Sequence, residues 1–120
     1  MKCLVLIAHG SRRAASNQEV QELAQRVQAQ AGERFAKVES AFLELAEPSI
    51  PDAIDACVAQ GATEIVIVPY FLSAGRHVAE DVPALVKERS LHYPQVRFEY
   101  VKHLGAANEM ALFILQHVPE

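Results

Sequence analysis

Apolar residues fall in four short runs, and segments with helical spacing fill the gaps between them. The first run, Cys3-Leu-Val-Leu-Ile-Ala8, is unbroken and rich in branched side chains. It predicts a strand over residues 2–8 that is buried on both faces. Residues 14–31 place Val20, Leu23, Ala24 and Val27 on one side of a helix, and Gly32 suits its C-terminal cap. A second strand is predicted over 36–43. In Pro48-Ser49-Ile50-Pro51-Asp52, Ser49 caps a second helix, Pro51 suits its first turn and Asp52 favours its positive end. Ile54, Cys57 and Val58 face inward on that helix, and Gly61 closes it. A third strand follows over 64–68 and a third helix over 78–90, with Val78, Val82, Leu85 and Val86 as its buried stripe. Pro83 is expected in the first turns of that helix, or to move its start later. A fourth strand over 96–101 and a last helix over 106–117 complete the pattern.

Strands separated by helices of this length pair in parallel through right-handed crossovers. The expected fold is therefore α/β: a three-layer sandwich around a four-stranded parallel sheet, with residues 1–120 forming a single domain. There is no low-complexity tract or linker, and the two βαβα halves show no convincing repeat.

Composition narrows the function. The 120 residues are 51% hydrophobic and 22% charged, with a formal net charge of −4. That balance argues against nucleic acid or an anionic membrane surface as a general partner, while leaving room for a local basic cleft. No stretch approaches the roughly 20 apolar residues of a membrane span. Met1-Lys2-Cys3 leads into the first strand with no cleavage signal, so a cytoplasmic protein is expected. Cys3 and Cys57 sit in apolar segments and read as buried core thiols, with no disulfide expected.

The candidate chemistry gathers where the strands end. In a parallel sheet all four carboxyl ends share one edge, the place where open α/β sheets hold ligands. His9-Gly10-Ser11-Arg12-Arg13 leaves the first strand there, residues 44–47 the second, Ser73 to His77 the third, and Lys102-His103 the fourth. Two imidazoles, His9 and His77, with a carboxylate from Glu44 or Glu47, form a donor set for a borderline divalent ion such as Fe, Co, Ni or Zn. Each residue also has a plainer reading: a hydrogen-bonded structural histidine, a solvated loop acid, a surface arginine. Tyr70 and Phe71 read as packing or wall residues. Phosphate-loop, dinucleotide and nucleophile-elbow motifs are absent. Ala8 stands where a histidine phosphatase would carry an arginine before His9.

Three segments then stand out: Ile7-Ala8-His9-Gly10-Ser11-Arg12; Phe42-Leu43-Glu44-Leu45-Ala46-Glu47-Pro48-Ser49-Ile50; and residues 68–78, Val-Pro-Tyr-Phe-Leu-Ser-Ala-Gly-Arg-His-Val, with Asp81-Val82-Pro83. In this order they resemble the CbiX/SirB class of class II tetrapyrrole chelatases, over essentially the whole chain, in the length of the short, single-domain members. The resemblance implies insertion of a divalent metal into sirohydrochlorin: cobalt for cobalamin synthesis, iron for siroheme, with nickel a third candidate. It implies a lyase-type enzyme with no prosthetic group, the metal being a substrate. His9 and His77 match the family's two active-site histidines, and Glu44 its acidic residue after the second strand. All three are expected to bind metal and act in catalysis.

The reaction suits these residue types. Two pyrrole N–H protons must leave, and the metal must be held loosely enough to be handed over. Imidazole is both a proton acceptor near neutrality and an exchangeable ligand. Gly10, Ser11, Arg12 and Arg76 are expected to line the macrocycle's binding surface. Arg13, Lys102 and the helix N-termini at the same edge are physical candidates for pairing with its many carboxylates. One small domain offers half the cleft of the two-domain relatives, so a homodimer with facing clefts is expected. The alternatives are a non-enzymatic metal or tetrapyrrole carrier using the same cleft and, less favoured, phosphoryl or ester chemistry at His9 and Ser11. On the chelatase reading, His77→Ala removes metal insertion, followed in the visible spectrum of sirohydrochlorin, and leaves the fold intact. Normal turnover in that variant contradicts the reading.

Overall fold

The structure is a computed structural model that describes residues 1–120, the side chain of His77 excepted. The strands are β1 (Lys2–Ala8), β2 (Lys37–Phe42), β3 (Glu64–Pro69) and β4 (Arg97–Tyr100). The helices are α1 (Ala14–Ala31), α2 (Ile50–Ala59), α3 (Arg76–Ser90) and α4 (Met110–Gln116). All strand pairs are parallel, in the order β2-β1-β3-β4, so the expected four-stranded α/β architecture is present.

The apolar run at the N-terminus becomes the centre of the molecule. β1 pairs with β2 from Cys3↔Lys37 to Ala8↔Phe42, and with β3 from Lys2↔Glu64 to Ile7↔Pro69. Alternate residues point to opposite faces. Cys3, Val5 and Ile7 join Ile54, Cys57, Ile65, Ile67, Val82 and Val86 in the core beneath α2 and α3. Leu4 and Leu6 join Ala24, Phe35, Val38 and Val66 beneath α1. Ser49 caps α2 by accepting a hydrogen bond from the Asp52 N–H at 3.2 Å, as its sequence predicts.

Two helices depart from expectation. α3 begins at Arg76, two residues before the expected start, with Gly75 as its extended N-cap residue. Pro83 consequently lies inside the helix, past its opening turns. The last helix does not start at residue 106. A 3₁₀ turn, Leu104–Ala106, comes first, and α4 follows only from Met110. The cause is a backbone seat: the Gly105 N–H donates to the Phe71 carbonyl at 2.9 Å. A Cβ on Gly105 would lie 1.6 Å from the Leu72 carbonyl oxygen. Ala107 is then extended, which breaks the helical run.

Cys3 and Cys57 are free thiols, 0% and 1% exposed, hydrogen-bonded to each other between β1 and α2. Burial, followed by the neighbouring Cys3, pushes the Cys57 thiol from 9.0 up to about 12. Between those values the unfolded chain ionises while the folded chain keeps its proton, so folding stability falls as pH rises. The expected slope is up to about 1.4 kcal/mol per pH unit for this thiol. Urea unfolding at pH 8 to 11 should show a shallower alkaline loss in Cys57→Ala than in the unaltered protein; identical slopes would refute this assignment.

Candidate active site

The crossovers determine where a ligand can sit. α1 packs on one face of the sheet and α2 and α3 on the other. Connections from β1 and from β3 therefore leave toward opposite faces, and a crevice opens between these neighbouring strands at their carboxyl ends. His9 lies at the end of β1. The backbone of His77 lies in the first turn of α3, reached from β3 through residues 70–75. The His77 side chain is outside the described part of the structure.

The loop after β1 is docked onto the loop after β2. The Leu43 N–H donates to the Ala8 carbonyl and the Glu44 N–H to the His9 carbonyl, each at 3.0 Å. Gly10 has φ of +95°, and a Cβ there would stand 1.7 Å from the Glu44 carbonyl oxygen. Glycine is required on both counts. This backbone contact sets two side chains together: His9 Nε2 lies 3.1 Å from Glu44 Oε1. Their side chains are 50% and 57% exposed. A contact so open to water is worth no more than about 1 kcal/mol and is readily exchanged for another ligand. Glu44, not Glu47, supplies the carboxylate that reaches His9.

Asn17 completes the loop. Its side-chain oxygen accepts from the Ser11 N–H at 2.9 Å, and its amide donates to the Ser11 carbonyl at 2.8 Å. The Ser11 hydroxyl accepts from the Arg13 N–H at 3.0 Å, at the start of α1. That geometry closes a side-chain turn at Ser11 just ahead of α1, while the His9 ring turns to Glu44. Sequence reasoning missed Asn17. The readable signal was a poor helix former in the first turn of a helix that lacks an orthodox cap.

The remaining site residues line the same edge less closely. Arg12 and Arg13 are exposed. Arg76 is exposed and its guanidinium pairs with Glu80 one turn along α3 at 3.6 Å. Lys102 and His103 lie beside a pocket of about 290 Å³ whose other walls include Pro69, Ala74, Val78 and Tyr100. Among the described residues, no three His, Cys, Asp or Glu side chains form a metal-binding group. His92 and His117 lie elsewhere: His92 pairs with Glu88 at 3.1 Å, and His117 Nδ1 lies 2.9 Å from the Phe113 carbonyl.

This fold is that of the CbiX and SirB chelatase structures. The CbiX family model matches residues 3–120. The chain belongs to the CbiX family. Its relatives include the chloroplastic sirohydrochlorin ferrochelatase of Arabidopsis thaliana, 37% identical over 105 residues, which are 88% of this chain and 46% of that protein. A CbiX protein of Marinobacter aquaeolei VT8 superposes with a TM-score of 0.81 at 29% identity, covering 97% of this chain and 92% of that one. The sirohydrochlorin chelatase SirB of Bacillus subtilis subspecies spizizenii, solved with cobalt, superposes with a TM-score of 0.83 at 31% identity, covering 96% of this chain and 48% of that one. The chain thus spans about half the length of the Arabidopsis protein and of SirB.

Gly10→Ala forces the two loops apart and should destabilise the fold by about 2 kcal/mol or more, through strain at positive φ and the backbone clash. Chemical denaturation measures this; a loss below about 0.5 kcal/mol would show that the loops are not docked as described.

Proposed function

We propose that the chain is a sirohydrochlorin metal chelatase, inserting a divalent metal into the macrocycle with release of two protons. The observation that carries this reading is the open His9–Glu44 pair at the switch between β1 and β3, in a chain similar to sirohydrochlorin chelatases along nearly its whole length. An incomplete, solvent-open donor set holds an ion and lets it go; a closed tetrahedral site would retain it. The incoming metal ion replaces the weak contact between His9 and Glu44 and takes up both groups as ligands. His77, whose backbone lies in the first turn of α3, is the third ligand in this reading.

As the macrocycle's nitrogens take the metal, His9 and His77 accept the departing pyrrole protons and Glu44 offsets the positive charge that accumulates. The substrate's carboxylates require a cationic rim. α1 and α3 both begin at this edge without a side-chain cap, which leaves backbone N–H groups and positive dipole ends facing the cleft. In this reading Gly10, Ser11, Arg12, Arg13, Arg76 and Lys102 bind the substrate's rim beside them. Imidazole and carboxylate bind cobalt, iron and nickel in the Irving–Williams order, so supply sets which ion is delivered. The Arabidopsis relative is named for iron and the SirB structure holds cobalt, which fits that tolerance.

We place the protein in the cytoplasm, a reading supported by its two free, buried thiols; no helix is long and apolar enough to cross a membrane, among the described residues. Two copies with facing clefts supply the second wall that a large flat substrate needs.

His9→Ala and Glu44→Gln should each lower the rate of Co²⁺ or Fe²⁺ insertion about 100-fold, with circular dichroism unchanged. Full turnover in either variant overturns the assignment. Tight stoichiometric binding of sirohydrochlorin without accelerated insertion in the unaltered protein would instead establish a carrier.

A further inference from the structure

Leu45 has a left-handed backbone, with φ of +65°, and among the described residues no other non-glycine position has a positive φ. An L side chain meets steric resistance there, and glycine or asparagine adopts that shape at less cost. Burial of the leucine side chain could offset that cost. It does not: Leu45 is 56% exposed.

The loop that carries Leu45 is closed at its base. The Phe42 N–H donates to the Pro48 carbonyl at 2.9 Å, and Phe42 forms a β-bridge with Ser49. Leu43 packs against the core, and the Glu44 carbonyl is seated on Gly10. What this loop holds out to solvent is Glu44, Leu45 and Glu47. Backbone strain persists where the surrounding structure enforces it, and it collects at binding and catalytic sites.

Leu45 adjoins Glu44 in the chain, and Glu44 meets His9. On the chelatase reading, an ion held by that pair enters the ring along the normal to its plane. The ring then lies face-on over the pair and spreads over the residues beside it. The rim of sirohydrochlorin is anionic, while the faces of its conjugated ring are largely apolar. The basic residues at this edge suit the rim. A face calls for an apolar counterpart, since removing both surfaces from water favours their contact.

We propose that Leu45 is a substrate-binding residue, the apolar rest for one face of the tetrapyrrole beside the His9–Glu44 pair, and that its left-handed backbone is retained for that contact. The proposal rests on the chelatase reading only for the identity of the ligand. It requires the macrocycle to bind at this pair and is independent of the insertion step.

Titration of metal-free sirohydrochlorin into the protein, followed in the visible spectrum, tests it. Leu45→Asn removes the apolar contact and suits the left-handed backbone. Its Kd should rise about 10-fold, as expected for losing much of one leucine's burial, while its Tm holds or rises, the reverse of what a structural leucine would show. Leu45→Gly, a second variant with no steric objection to this φ, should weaken binding to a similar degree. Leu45→Met, which restores an apolar side chain, should recover the affinity to within about three-fold. The weakening in Leu45→Asn should be equal at about 50 and 300 mM NaCl, because salt screens ion pairs and not this contact. Unchanged affinity in the Asn and Gly variants, no recovery with Met, a lower Tm in Leu45→Asn, or a loss confined to low salt overturns the proposal. Normal binding by the Leu45 variants of an active enzyme removes it and leaves the chelatase reading. Weakened binding by the variants of a protein that inserts no metal does the reverse, and a protein that binds no sirohydrochlorin overturns both.

Discussion

β1 is hydrogen-bonded along both edges and packed on both faces, and the rest of the molecule takes its position from that strand. β2 and β3 are in register with it, α1 covers one side of it, and α2 with α3 covers the other. Because the connections diverge to opposite faces at β1 and β3, the crevice between them follows from the topology without any further device. The loop that ends β1 is then held by the backbone of the loop after β2. The position of His9 is thus a direct consequence of where the most buried strand stops.

Legibility in the sequence follows the range of the forces involved. The bounds of β1 and α1 agree with the pattern because a run buried on both faces, and a stripe ended by Gly32, are local signals. The start of α3 was less legible because Gly75 gives no side-chain cap to read, and Pro83 suggested a boundary that tertiary packing does not impose. The last helix was misplaced for a reason with no local trace: Gly105 is drawn onto the Leu72 backbone more than thirty residues earlier. Helical spacing cannot report a contact of that separation.

The site divides in the same way. The gathering of His9 and Glu44 at one edge was legible from topology alone, since parallel strands deliver their carboxyl ends to the same place. The choice of Glu44 over Glu47 rests on the Gly10 contact and was legible only through resemblance. The Asn17 clamp on Ser11 depends on the rotational phase of α1 relative to its preceding loop, which sequence spacing leaves open. The candidate basic rim was legible from the position of Arg12, Arg13 and Arg76 beside the histidines. Its division into Arg76 engaged by Glu80 and Lys102 beside an apolar pocket was not.

The close seat of Gly10 on the Glu44 carbonyl has a mechanical meaning. With no space for even one carbon between the two loops, the histidine and carboxylate ride on what is in effect a single rigid jaw. The two loop backbones cannot part as a substrate enters or a product leaves, although the exposed side chains can still turn. Any widening of the crevice must come from the opposite jaw, residues 70–75 and the opening turn of α3. On the chelatase proposal, the metal is then presented from a fixed side and the macrocycle admitted from the other.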